Sequence, residues 1–407
     1  MMAATVFASC HPPAQTQTTK NSDYGKIAWA ESAKPIRPGI PGQTPFWNTH
    51  AHQFIYAPAF NYKTVEGASL YRYNLSSETN GKLYKFTSKV PYDALSEIWT
   101  DVPVGYFNLT VAGLSASGDS IGLAGKGRYY RASPFNGIYH EPVLPYDSSA
   151  RKALDKLMHE DYVNYWLEHK TPKWDYINYS YPAKIYSALV IGAITHAKLK
   201  AGTAEAERSA KIARIVADYM LSIRFKEGTP WEFFVPTYYG PRSEKATKQH
   251  LRPINNFSIM GVDAGNAFLE LYDFTGDKKY FEAAQRIAQT YLKNQLPDGS
   301  WYQFVNHQTG EPTAENIVIP TSVINYFDRL RTNYQVTGLD NASAKALQWI
   351  MENPVKTFDW QGQFEDIAAR APYRNLSREQ ACDLAMYLFR NKTNLELAEE
   401  LVRFSED

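Results

Sequence analysis

Residues 263–304, DAGNAFLELYDFTGDKKYFEAAQRIAQTYLKNQLPDGSWYQF, contain the clearest structural pattern in this chain. The first part of this stretch reads as a helix that is apolar on most faces and ends at the turn TGD. An amphipathic helix follows and ends at the turn PDG, after which Trp301 and Tyr302 come at once. Apolar residues spaced at the helical period on both sides of a short turn predict one helical hairpin.

The same pattern recurs from Pro145 to the end of the chain. Amphipathic helices alternate with helices that are less charged, and a Trp follows each amphipathic helix at intervals of roughly sixty residues. A helix that is apolar nearly all round is buried on both sides. The alternation therefore predicts two concentric layers closed into a toroid, with four indoles gathered at its mouth. The less charged helices are predicted at residues 182–199, 257–275, 319–334 and 377–390.

This arrangement, on residues 263–304, resembles the six-hairpin (α/α) toroid superfamily of glycoside hydrolases and polysaccharide lyases. The resemblance covers residues 145–407 and implies the fold more than the reaction, because that fold hosts hydrolases, lyases, epimerases and cyclases. After four pairs a further amphipathic helix, NLELAEELVRFSED, lacks an inner partner. The ring could be smaller, a further pair could be hidden at the start of the domain, or the toroid could be truncated. We expect truncation.

Residues 35–140 change to a period of two. LYRYNLS, KLYKFTS and YFNLTVAGL alternate apolar and polar residues between turn formers. Short strands at such spacing predict a β-sandwich. VEGASLYRY and WTDVPVGYFNLTVAGLSASGD resemble a fibronectin-type or immunoglobulin-like module. The expected fold class is thus multidomain α and β, a β-sandwich followed by an (α/α) helical-hairpin toroid.

The amino terminus resembles a bacterial lipoprotein signal, in which small residues precede an acylated cysteine. ATVFASC ends at Cys10, and residues 1–34 would then be a signal remnant and tether. This interpretation places the protein in the periplasm or on the cell surface of a bacterium, with a lipid anchor. Phe7 stands where Leu is usual and no basic residue precedes the apolar run, so a chance amino terminus is the alternative.

Composition limits the partners of the chain. Its 407 residues carry 43 Lys and Arg against 42 Asp and Glu, so no basic field is available to attract nucleic acid. No apolar run is long enough to span a membrane. Metal-binding and nucleotide-binding motifs are absent from the sequence, so we expect no cofactor and no metal. The expected partner is a glycan, bound by a monomer.

Glycoside hydrolysis usually needs two carboxyl groups. Asp263 lies on an apolar inner helix, where a charge is unusual, and Glu232 directly follows Trp231 in a loop at the mouth. Both could be catalytic. The plainer alternatives are that Asp263 bonds to backbone or to an arginine, and that Glu232 is a solvated loop residue.

A uronate lyase needs other groups, a base and a cation that neutralises the substrate carboxylate. The long passage at residues 233–257 offers Tyr239 and His250 as bases, Arg252 as the carboxylate clamp and Asn256 as a further ligand. A polar exposed loop is the alternative for this passage. Sugar platforms are expected at Trp174, Trp231, Trp301, Tyr302 and Trp360, unless these rings wedge hairpins together.

The chain is therefore expected to degrade a polysaccharide or oligosaccharide, as a glycoside hydrolase with carboxylate acid and base. A uronate-specific polysaccharide lyase and a non-catalytic glycan-binding surface lipoprotein are the two alternatives.

Overall fold

The structure is a computed structural model that describes residues 14–43, 46–49, 51–139, 142–360 and 378–407, so Cys10 lies outside the described residues. The chain divides into two compact units. Unit 1 takes the chain up to residue 141 together with residues 357–359 and 402–407. Unit 2 takes residues 142–356 and 360–401. No helix of the described chain combines the length and the apolar character needed to cross a bilayer.

Unit 1 contains a five-stranded sheet in the order β1-β5-β4-β2-β3, in which β1 runs parallel to β5 and the other pairs are antiparallel. The alternating stretches of sequence predicted β2, β3 and β4 correctly. The elements of unit 1 are α1 Ala14–Glu31, β1 Gln53–Phe54, β2 Leu70–Ser77, β3 Leu83–Ser88, α2 Ser96–Trp99, β4 Gly105–Leu114 and β5 Ser120–Arg131.

The predicted β-sandwich is not shown, because the described residues of unit 1 form one sheet. One face of that sheet is buried, with Phe107 on β4 fully enclosed. A helix and a loop pack on this face. The ring of Trp99 in α2 meets that of Phe107 edge-on, with centroids 5.8 Å apart, and the ring of Phe60 stacks on that of Tyr129, with centroids 4.4 Å apart. Alternating apolar and polar residues indicate that one face of a strand is buried, but they do not indicate whether a second sheet or a loop buries it.

A buried arginine ties α1 to the sheet. The guanidinium of Arg131 lies over the rings of Trp29 and Trp99, 4.2 and 5.0 Å from their centroids. It donates hydrogen bonds to the carbonyl of Val102 and to the hydroxyl of Ser32. Desolvation lowers the pKa of Arg131 to about 10, which still leaves it charged at neutral pH.

Unit 2 is built from helices, with one short two-stranded sheet. The strands β6 Asn255–Phe257 and β7 Phe304–Asn306 pair antiparallel. The last residues of α13, from Val402, belong to unit 1. The helices are α3 Tyr146–His159, α4 Asp161–His169, α5 Pro182–Leu199, α6 Ala204–Ile223, α7 Pro241–Glu244, α8 Gly261–Thr275, α9 Lys278–Asn294, α10 Thr321–Tyr334, α11 Asp340–Ile350, α12 Arg378–Asn391 and α13 Leu395–Glu406.

The helices form an inner and an outer row. In the inner row α5 packs against α3 and α8, and α10 packs against α8 and α12. In the outer row α6, α9 and α11 pack on the inner helices that precede them, and α4 packs on α6. The predicted alternation of less charged inner helices and amphipathic outer helices is therefore present. Closure of the inner row into a ring stays a prediction.

Local signals in the sequence set the turn inside the hairpin of α8 and α9. Gly276 follows α8 with a φ of 71°, a left-handed conformation that glycine adopts without steric cost. Asp277 then caps α9, because its carboxylate accepts a hydrogen bond from the backbone N–H of Lys279 at 3.1 Å. The turn TGD thus ends one helix and begins the next.

The first predicted outer helix is wrong as a single helix. Glu160 has an extended backbone, with ψ of 144°, and separates α3 from α4. Because α3 packs on the inner helix α5 and α4 packs on the outer helix α6, the two helices form a pair of their own. A further pair at the start of the domain, one of the three alternatives, is therefore present, whereas the expected truncation stays a prediction. The sequence did not reveal this break at Glu160, because one extended residue does not interrupt the helical periodicity of the apolar residues around it.

Candidate functional site

A cavity of about 560 Å³ opens in unit 2 beside the short helix α7. Its walls come from two segments, the long connection between α6 and α8 and the turn at Ile177–Ser180 that precedes α5. Backbone hydrogen bonds join the two segments: Tyr239 donates to Ser180 at 3.0 Å and Ala183 donates to Pro236 at 3.1 Å. The long connection is thus held against the start of an inner helix.

The lining of this cavity is basic. Arg242, Lys245 and Lys248 line it at intervals of three residues, and no carboxylate is among the lining residues. None of the three cations forms an ion pair within the described chain; Arg242 makes one long contact, 3.4 Å, to the carbonyl of Ile177. The cavity therefore offers positive charge to an anionic ligand.

Two tyrosines form the aromatic wall of the cavity. The rings of Tyr181 and Tyr238 meet edge-on with centroids 5.7 Å apart. Tyr238 is almost fully buried, whereas Tyr181 is partly exposed and its hydroxyl has no hydrogen-bond partner among the described residues. Tyr181 is thus the cavity phenol that a ligand can reach.

Gly240 shapes the entrance to α7. Its φ is 84°, and a Cβ at this position would lie 2.3 Å from the indole of Trp174. Trp174 is partly exposed and lies 6.2 Å from the ring of Tyr239, measured between centroids. Only glycine allows Trp174 to pack so closely against the segment that carries the cavity cations.

Two residues of the predicted lyase set adjoin lining residues of the cavity, and the predicted clamp does not line it. Tyr239 and His250 are partly buried and flank lining residues, and the Nε2 atom of His250 is buried without a partner among the described residues. The predicted clamp Arg252 is exposed and donates from Nε to the carbonyl of Ala246 at 3.3 Å. It is not among the lining residues, and its hydrogen bond braces the loop. The cations that do line the cavity, in PRSEKATK, were missed although their regular spacing was readable.

Three of the predicted sugar platforms are corrected by their burial. Trp231, Trp301 and Trp360 are 3%, 1% and 0% exposed, so no ring face is open to a sugar. Trp301 donates from its indole nitrogen to the carbonyl of Tyr291 at 2.9 Å, which makes it a wedge within its own hairpin. Tyr302 is partly buried and its backbone bridges to Ile317. A platform role for Trp174 and Tyr302 remains a prediction.

Glu232 makes structural contacts, and its catalytic role stays a prediction. One carboxylate oxygen accepts a hydrogen bond from the backbone N–H of Gly228 at 2.7 Å, and the other lies 3.1 Å from Nζ of Lys293. The backbone hydrogen bond and Lys293 lower the pKa of Glu232. Both oxygens are occupied, so this carboxylate closes a turn and pins it to α9.

Asn256 is also structural. It is buried on β6, and its Oδ1 accepts hydrogen bonds from the backbone N–H and the hydroxyl of Thr237, at 3.1 and 2.9 Å. These bonds fix the long connection to the start of α8. Its Nδ2 atom is buried without a partner among the described residues, so the contact of Asn256 with substrate stays a prediction.

Carboxyl groups do occur on the inner helices. Asp263 is exposed on the first turn of α8, on the same face as Asn266 and Glu270, which both contact Arg329 of α10 at 3.2 and 2.8 Å. Asp383 lies partly buried on α12. Desolvation, with the nearby Glu379, raises the pKa of Asp383 to about 6.

A cluster of Asp155, His196 and Glu205 has the residue types of a metal site. Lys200 already occupies it, with Nζ 2.8 Å from Asp155 and 3.4 Å from Glu205. His196 is buried and bonds through Nε2 to Asp155 and through Nδ1 to Ser209, at 2.8 Å each. We therefore interpret the cluster as an ion-pair network that joins α3, α5 and α6.

No family model matches the chain, and no curated protein matches it. Among solved structures it is similar to a family 76 glycoside hydrolase from a bovine Bacteroides thetaiotaomicron strain, with 11% identity, coverage of 86% of this chain and 85% of the other, and a TM-score of 0.37. It is also similar to a cellobiose 2-epimerase from Spirochaeta thermophila, with 10% identity, coverage of 65% and 71%, and a TM-score of 0.43.

An unsaturated glucuronyl hydrolase from Streptococcus agalactiae is a third similar structure, with 12% identity, coverage of 62% of each chain and a TM-score of 0.39. At TM-scores this low, these likenesses carry no conclusion about function, which has to come from the side chains of this protein.

Proposed function

We propose that this chain is a carbohydrate-active enzyme that binds an acidic glycan in the cavity beside α7 and cleaves it by β-elimination. The observation that carries the proposal is the lining: among the described residues it has two tyrosine rings, three cations without ion pairs and no carboxylate. Aromatic rings suit the apolar faces of sugars. The cations suit the carboxylate of a uronic acid residue.

In the proposed reaction a base removes the proton from C5 of the uronate. The electron pair left behind forms the C4=C5 double bond, the C4–O bond to the neighbouring sugar breaks, and the leaving oxygen takes up a proton. Arg242 and Lys245 bind the uronate carboxylate and stabilise the negative charge that develops next to C5. Tyr181 in its phenolate form is the base, because its oxygen is accessible and has no partner among the described residues. The phenol that forms then gives its proton to the leaving oxygen.

The test uses polygalacturonate and its methyl ester as substrates. Elimination produces a conjugated double bond that absorbs in the ultraviolet, and the ester should be a poor substrate because it carries no charge. Arg242→Ala should raise KM about tenfold or more, whereas the control Lys211→Ala, an exposed cation on α6, should leave KM unchanged. Tyr181→Phe should abolish turnover and keep binding. Equal turnover of acid and ester, or wild-type turnover by Tyr181→Phe, would overturn the proposal.

A glycoside hydrolase is the second candidate, and the inner-row carboxyl groups favour it. An acid whose pKa is about 6 is partly protonated at neutral pH and suits the general acid of hydrolysis, which makes Asp383 the acid and Asp263 the second carboxyl group. Hydrolysis would release reducing ends without the ultraviolet signal. Asp383→Asn would then abolish activity, while Tyr181→Phe would retain it.

The surface tether at Cys10 and the bacterial periplasmic or surface location stay predictions that accompany either reaction. They suit a protein that meets polymers outside the cytoplasm. Labelling of intact cells, with Cys10→Ser as the control, tests them directly.

A further inference from the structure

A second basic surface lies on unit 1, on the solvent side of the five-stranded sheet. The register of the strands places Lys85 of β3 opposite Asn74 of β2, Asn74 opposite Thr110 of β4, and Thr110 opposite Lys126 of β5. Because neighbouring strands are about 4.8 Å apart, the two lysines are anchored about 14 Å apart across this row. Between them lie an amide and a hydroxyl.

Arg72 adds a third cation to this face, two residues before Asn74 on the same strand. Lys85 and Lys126 are exposed and Arg72 is partly exposed. In the described part of the chain the side chains of these three residues form no hydrogen bond and no ion pair. Three unsatisfied positive charges on one face are notable in a chain whose net charge is only +1.

Glu78, an acid that follows strand β2, is neutralised by partners of its own. Glu78 accepts two hydrogen bonds from Arg128, at 2.8 Å each, and one from Asn108 at 2.8 Å. Arg128 lies 3.8 Å from the ring centroid of Tyr106, and Tyr106 meets Tyr130 edge-on at 5.0 Å. Glu78 therefore does not cancel the three free cations, and the partly exposed ring of Tyr106 is held in a fixed orientation.

We infer that this face, defined by Arg72, Lys85, Lys126 and Tyr106, binds an acidic polysaccharide. An extended polymer with carboxylates at regular intervals complements cations set apart along a row of strands. The hydroxyl groups between its carboxylates complement Asn74 and Thr110. Arg128 covers one face of the Tyr106 ring, and the remaining exposed surface of that ring is available to a sugar. Nucleic acid is disfavoured because the chain lacks a basic field, with 43 basic against 42 acidic residues.

This inference is independent of the reaction proposed for the cavity of unit 2. The test therefore uses the full chain with Arg242→Ala and Lys245→Ala, so that the cavity does not contribute. Binding of polygalacturonate is measured by titration calorimetry at two salt concentrations. We expect binding to persist in this background and to weaken as salt screens the exposed charges.

Adding Lys85→Glu and Lys126→Glu should weaken binding about tenfold or more. The matched control is Lys63→Glu with Lys89→Glu, which makes the same change in net charge outside the strands of this face. It should retain affinity. Equal losses in both variants would show a general charge effect and overturn the inference. So would stronger binding to single-stranded DNA, or to phosphatidylglycerol vesicles, than to polygalacturonate.

Discussion

The indole nitrogen of Trp301 donates a hydrogen bond to the backbone carbonyl of Tyr291, 2.9 Å away on the preceding helix α9. The two rings also meet edge-on at 5.8 Å, and Trp301 is 1% exposed. The aromatic residue that follows the PDG turn therefore closes its own hairpin. It is a part of the core that happens to follow a solvent-exposed turn.

Replacing Trp301 should destabilise unit 2 without a direct effect on glycan binding. Trp301→Ala leaves a cavity and an unsatisfied carbonyl, and we expect a loss of about 3–5 kcal/mol in the free energy of unfolding, measured with denaturant. Trp174→Ala is the matched control. Its ring is partly exposed, so it should lose less stability and weaken glycan binding more. The reverse pattern would show that Trp301 contacts the ligand.

Gly240→Ala should distort the cavity for two separable reasons. The left-handed backbone is strained by a side chain, and the new Cβ would lie 2.3 Å from the ring of Trp174. Gly202→Ala is the control that introduces only the backbone strain, since Gly202 has a φ of 81° and no atom lies within 4 Å of where its Cβ would be. We expect a shift in tryptophan fluorescence and weaker ligand binding only for Gly240→Ala. Identical behaviour of the two variants would contradict the packing of Trp174 on Gly240.

Glu232→Gln should cost stability at neutral pH and little in acid. The pKa of Glu232 is lowered by the Gly228 N–H group and Lys293, so its ionised form stabilises the fold above the unfolded-state pKa of about 4.3. That contribution is lost as pH falls through the folded pKa. We expect a loss of about 1–2 kcal/mol at pH 7 that vanishes in acid, seen in thermal unfolding across pH. Activity should be retained, and its loss in a folded variant would support a catalytic role.

Asp383→Asn should have the opposite pH dependence. The folded pKa of Asp383 is raised to about 6, mainly by desolvation, so ionisation of this carboxyl destabilises the fold as pH rises from about 4 to 6. The variant should gain about 1–2 kcal/mol relative to the wild type at pH 8 and lose that advantage at pH 4. Chemical denaturation at both pH values measures it. An advantage that does not depend on pH would exclude a raised pKa.

The hairpins and strands could be predicted because their causes are local in the chain. The helical period, the Gly276 and Asp277 turn and the alternation along β2 and β4 each act over a few residues. The break between α3 and α4 at Glu160 was not predicted, because the amphipathic pattern continues through this residue unchanged. The packing of Trp99 and Phe60 on the sheet could not be predicted. An alternating pattern shows that one face of a strand is buried, but it does not show which elements bury that face.

The candidate site depended on contacts between distant parts of the chain. The paired helices, the strands and the long polar connection after α6 could be read from the sequence alone. Packing between segments was needed to show that Arg242 and Lys248 line a cavity with Tyr181, that Arg252 is not among its lining residues, and that three indoles are core. The physical reason is that periodicity reports which face of an element is buried, whereas a cavity is formed where packing brings separate segments together.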